Sequence, residues 1–68
     1  MTSVILNGEP RELPDGATVE TAVGELGAPG DGVAVAVDGE VVPRGEWAST
    51  EVRDGQQVEV LRAVQGGR

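Results

Sequence analysis

Ser3-Val4-Ile5-Leu6-Asn7-Gly8-Glu9-Pro10-Arg11-Glu12-Leu13 opens the chain with two short extended runs on either side of an Asn-Gly pair. The two-residue type I′ hairpin loop needs a positive φ at both central positions, which asparagine tolerates and glycine adopts at no steric cost. The stretch therefore predicts a β-hairpin with strands at Ser3 to Leu6 and Glu9 to Leu13. Pro14-Asp15-Gly16 then ends the second strand in a turn.

Beyond the hairpin the period changes. Val19, Ala22, Val23 and Leu26 stand at i, i+3, i+4 and i+7, one apolar stripe of a helix over Val19 to Leu26. Thr18 precedes it as an N-cap, and Glu20 puts negative charge in the first turn, where the helix dipole favours it. Gly27 is the natural stop, with Pro29 just beyond. Gly24 weakens the helix interior by about 1 kcal/mol against alanine. Gly30-Asp31-Gly32 leads into Val33-Ala34-Val35-Ala36-Val37, whose alternation predicts a strand buried on its valine face. Asp38-Gly39 is a second tight turn, followed by a short strand at Glu40 to Val42 that Pro43 ends. Arg44 to Thr50 reads as a loop or a short 3₁₀ turn, with Trp47 as a core plug beneath it or a partner contact, and Arg44 as a solvated charge or an ion-pair partner of Glu46 or Glu51. Asp54-Gly55 precedes the final strand, Gln57 to Val64.

The order strand, strand, helix, strand, short strand, strand gives an α+β domain: a mixed sheet of four to five strands covered on one face by one helix. The first strand enters by a hairpin and the last arrives from far along the chain. The simplest closure lays these two side by side and parallel, which is the β-grasp arrangement of ubiquitin-like domains. Residues 1–65 make the domain, and Gly66-Gly67-Arg68 a flexible tail that leaves the sheet freely. A glycine pair falls at a given spot by chance about 3% of the time at this composition, so its place directly after a strand carries the weight. Without a Cβ, two glycines can thread a narrow channel and present a carboxylate to another protein's active site.

Composition narrows the function. The 68 residues include no cysteine, histidine, lysine, tyrosine or phenylalanine. Thiolate chemistry is excluded, and acid–base work would fall to carboxylates alone. Metal sites lack soft and imidazole ligands, the acidic residues are scattered, and the four Asp-Gly pairs have turn spacing and not that of a calcium loop. An independent enzyme, a cofactor and a metal are not expected. A net charge of −7 with five arginines as the only cations repels nucleic acid and anionic lipid, and suits a partner with a basic face. No signal peptide and no run near the roughly 18 apolar residues of a membrane span is evident, so a soluble, cytoplasmic protein is expected.

Val35-Ala36-Val37-Asp38-Gly39-Glu40-Val41-Val42-Pro43-Arg44-Gly45-Glu46-Trp47, then Asp54-Gly55-Gln56-Gln57-Val58-Glu59-Val60 and the Gly-Gly end, resembles the ThiS sulfur-carrier family. The likeness covers nearly the whole chain, including the opening Val-Ile-Leu-Asn-Gly. Molybdopterin carriers share the Gly-Gly but lack the Pro-Arg-x-x-Trp element. The resemblance implies that a ThiF-like enzyme adenylates the terminal glycine with ATP. A sulfur donor such as a cysteine desulfurase, bearing a persulfide, then converts it to a thiocarboxylate, and a ThiG-like thiazole synthase takes the sulfur for thiamin. By position, Gly67 bears the adenylate and the thiocarboxylate, and Gly66 keeps the approach narrow. Arg68 departs from the pattern: the resemblance implies that a protease removes it before activation, unless it is an expression-vector remnant. Activation of an arginine carboxylate fits worst on steric grounds. Leu61 and Ala63, on the strand face opposite Val58 and Val60, are candidates for docking the adenylating enzyme, or simply part of a half-buried sheet face. Other acceptors (molybdopterin, cysteine, a sulfur-containing natural product), a ubiquitin-like protein modifier, and a plain interaction module remain open. Without lysine, a modifier could be a single tag but could not build chains on itself.

Overall fold

The computed structural model describes residues 1–27 and 32–62, with Arg62 described by its backbone. The expected ends of the turn at 29–31 and of the last strand at 63–64 lie outside the described residues. Within them run β1 (Thr2–Leu6), β2 (Glu9–Leu13), α1 (Val19–Glu25), β3 (Val33–Val37), β4 (Glu40–Val42), a 3₁₀ helix (Arg44–Ser49) and β5 (Gln57–Arg62). The five strands form one sheet in the order β2-β1-β5-β3-β4. β1 and β5 are parallel neighbours, paired at Ile5–Gln57 and Leu6–Val58, and every other pairing is antiparallel. The ubiquitin-like β-grasp expected from the element order is therefore the observed fold.

Both hairpins turn on the residues that the sequence marks. Asn7 and Gly8 have φ of 51° and 83°, Asp38 and Gly39 of 50° and 85°, the paired positive values of a type I′ turn. The helix starts at Thr18, whose hydroxyl accepts from the Thr21 amide while the Thr21 hydroxyl accepts from the Thr18 amide, a reciprocal cap. It ends with Leu26 as C-cap and Gly27 at φ 67°, one residue short of the expected boundary.

The core lies between helix and sheet. Val4, Leu6, Leu13, Val35, Val37, Val58 and Val60 face it from the strands, and Val19, Ala22 and Val23 from the helix. Trp47, 5% exposed, closes one end, with its indole N–H donating to the Val42 carbonyl at 2.9 Å. A buried indole needs such a partner, because an unmatched N–H would carry its full desolvation cost. Ala17 and Val52 join the core through a short bridge that the sequence does not announce: Val52 N–H donates to Ala17 C=O, and Val19 N–H to Thr50 C=O. No helix among the described residues is long and apolar enough to cross a membrane.

Candidate functional site

β5 is the strand that leads to Gly67, and it is held on both edges. On one side it pairs with β3 from Val37–Val58 to Val33–Arg62. On the other side β1 turns away after Leu6, yet the grip continues through Asn7. Its backbone N–H donates to Val58 C=O at 2.9 Å. Its carboxamide then receives Val60 N–H at Oδ1, 2.8 Å, and donates from Nδ2 to Val60 C=O, 3.2 Å. Asp38, first residue of the other hairpin turn, grips the beginning of the same strand. Its backbone N–H donates to Gln57 C=O at 2.8 Å, its Oδ1 accepts Gln57 N–H at 2.9 Å, and its Oδ2 accepts the Gln56 amide at 3.2 Å. Asp54 adds a third tie, its Oδ1 accepting Ser3 N–H. Sequence reading assigned Asn7 and Asp38 to turns only. The φ signal was visible, but the strand they hold lies up to 53 residues away.

Strand alternation puts Val58 and Val60 in the core and Leu61 on the uncovered face, where it is 63% exposed. Ala34 lies directly opposite Leu61, and Ala36 opposite Val41, which is 74% exposed. Half-buried Ile5 shares this face beside Gln57. The uncovered face of the sheet thus carries a small apolar patch, broken by Gln57 and Glu59 and continuous with the strand that leads to the tail. Ala63, the second expected docking residue, and Gly66, Gly67 and Arg68 lie outside the described residues.

Acidic charge gathers elsewhere. A groove of about 320 Å³ between the β3–β4 turn and the 3₁₀ helix is lined by Asp38, Glu40, Glu46 and Glu51 beside Val41. It lies at the Gln57 end of β5, and the strand runs roughly 17 Å from there to Arg62 at the usual rise per residue. Among the described residues no group of three or more histidine, cysteine, aspartate or glutamate side chains is arranged to hold a metal ion.

Known proteins place this arrangement. The family described as "ThiS family" matches residues 4–67. A sulfur carrier protein ThiS of Thermus thermophilus is 42% identical over 64 residues, covering 94% of this chain and 98% of that protein. The Escherichia coli sulfur carrier protein ThiS is 30% identical over 64 residues, covering 94% and 97%. A thiazole synthase of Paramagnetospirillum magneticum is 38% identical over 64 residues. The chain spans only a fifth of that longer protein, 20% of its length. In three dimensions, the crystal structure of the thiamine biosynthesis protein ThiS from Geobacter metallireducens superposes with a TM-score of 0.78 at 30% identity, covering 97% of this chain and all of that one. A match along almost the whole chain, with two carriers of nearly the same length and a solved ThiS structure of the same fold, is decisive: the chain belongs to the ThiS family.

Proposed function

We propose that this sulfur carrier of thiamin biosynthesis bears its cargo on Gly67 and catalyses nothing itself. The observation that carries the reading is the family match, which runs through both glycines and stops at Gly67. A carboxylate is a poor electrophile until one oxygen becomes a leaving group. An adenylating partner of the ThiF type makes it one by transferring AMP from ATP and releasing pyrophosphate. The outer sulfur of a persulfide on a donor such as a cysteine desulfurase then attacks the acyl carbon, expels AMP and forms an acyl disulfide. A thiol of the partner attacks the donor's sulfur of that bond, forming a new disulfide and leaving the thiocarboxylate on Gly67. Glycine suits both steps, because a Cβ beside the reacting carbon would crowd the nucleotide pocket. Arg68 lies outside the matched stretch, and removing it by proteolysis puts the free carboxylate on Gly67.

The acceptor in this reading is a ThiG-like thiazole synthase. Its support is the thiazole synthase relative, in which a segment like this one is part of a longer chain. Exposed Leu61, with Ala63 beyond it, docks the adenylating enzyme on the uncovered sheet face, and residues 66–68 form the tail beyond the 1–65 domain. All of these encounters take place in the cytoplasm.

The test uses two forms of the protein, one ending at Gly67 and one retaining Arg68. Each is incubated with the cognate adenylating enzyme, ATP and a sulfur source, and then weighed intact. One sulfur-for-oxygen exchange in the truncated form alone is the expected result. Covalent adducts on other proteins would indicate a modifier instead, and an unchanged mass in both forms would sink the carrier chemistry.

A further inference from the structure

Asn7 stands where β1 stops and β5 continues. Continued in register, the parallel ladder would have the backbone C=O of residue 7 accept Val60 N–H, and the N–H of residue 9 donate to Val60 C=O. The left-handed turn at Asn7 and Gly8 has already carried that backbone off into β2. The Asn7 carboxamide supplies both groups instead, Oδ1 accepting at 2.8 Å and Nδ2 donating at 3.2 Å, so one side chain stands in for two backbone groups of the missing strand. Only a carboxamide fits this task. A carboxylate can accept but not donate, a hydroxyl is too short, and glutamine is a poor residue at positive φ.

Val60 lies seven residues before Gly67. We propose that Asn7 is a positioning residue for the chemistry at Gly67, its carboxamide holding β5 to the β1 edge of the sheet as far as Val60 and so setting how firmly the strand that leads to Gly67 is presented to the adenylating enzyme. The inference rests on the carrier reading above. With the carboxamide in place, β5 is held on both edges as far as Val60. Without it, the β1 side lets go at Val58, and the pairs with β3 alone hold the end of the strand. Such a one-sided end frays more readily, and the partner must then restore its order on every binding event.

Asn7→Gly separates the two duties of the residue, because glycine keeps the positive-φ turn and removes only the carboxamide. Asn7→Asp keeps the turn and the acceptor but loses the donor. Each is made in the form ending at Gly67. Amide exchange at Val60, measured relative to the core amide of Val35, should quicken about three- to tenfold in Asn7→Gly, the usual worth of a hydrogen bond. KM for the adenylating enzyme should rise by a similar factor with kcat nearly unchanged, and Asn7→Asp should fall between wild type and Asn7→Gly in both readouts. Referring Val60 to Val35 removes any general loss of stability. Unchanged relative exchange at Val60 would overturn the clamp, and faster exchange with an unchanged KM would confine Asn7 to the fold. If wild type ending at Gly67 is never adenylated, the carrier reading fails; if wild type reacts normally and the variants match it, only this inference fails.

Discussion

Asn7 and Asp38 share one backbone conformation and hold one strand from opposite edges, yet their chemistry differs with what each must meet. Val60 offers Asn7 both a donor and an acceptor, and a carboxamide answers both. Asp38 meets two donors, the Gln57 N–H and the Gln56 amide, and a carboxylate accepts from both. The arrangement is coupled, because Gln56 Oε1 is already engaged by Arg53 N–H at 2.8 Å and its amide is thereby committed to donating toward Asp38. Asp38→Gly retains the turn and deletes these bonds, so a loss of about 1–2 kcal/mol in chemical denaturation is expected. Asp38→Asn, which keeps one acceptor for Gln57 N–H, should lose less. At this scale the sequence shows half of each residue's work. Asn-Gly and Asp-Gly report a local φ requirement, whereas a partner strand tens of residues away leaves no mark in the neighbouring letters.

At the scale of elements, α1 was readable because its signals are local: an apolar stripe, a threonine cap and a terminal glycine. Its seven residues are too few to hold a helix in water, so burial of Val19, Ala22 and Val23 against the sheet supplies most of its stability. The bridge that joins Thr18 to Glu51 was not readable, since each side of it is only a residue or two long and has no period. Gly24 remains the soft point. It is exposed, its φ is not left-handed, and a Cβ added there would meet nothing within 4 Å. Gly24→Ala should therefore raise stability by about 1 kcal/mol. In a domain of this size that is an increase of roughly 4–8 °C in Tm, measurable by circular dichroism. A smaller or opposite change would mean that the helix is not the weak element.

For the whole molecule, the strand order followed from the order of elements, because a sheet whose first strand enters by a hairpin and whose last arrives late closes most simply with the two in parallel. The chemistry proposed at Gly67 rests on the glycine pair and a family pattern, and geometry adds to it mainly by showing how β5 is anchored. What the fold contributes to recognition is an uneven surface. Apolar Leu61, Ala34, Ala36 and Val41 lie on the open face, and the acidic groove sits at the far end of β5. If that face docks the adenylating enzyme, Leu61 at its tail-proximal end should act as an anchor while contributing little to folding, since it is mostly exposed. Leu61→Ser is then expected to leave the unfolding free energy within about 0.5 kcal/mol of wild type. Affinity for the enzyme should fall about tenfold, the effect of losing roughly 1.4 kcal/mol. The net charge of −7 adds a second signature: association should slow as salt rises, in wild type and variant alike, because the charges that steer the encounter are not those the substitution removes. Calorimetry and stopped-flow mixing separate the two effects. Unchanged affinity in Leu61→Ser would move the docking surface off this face.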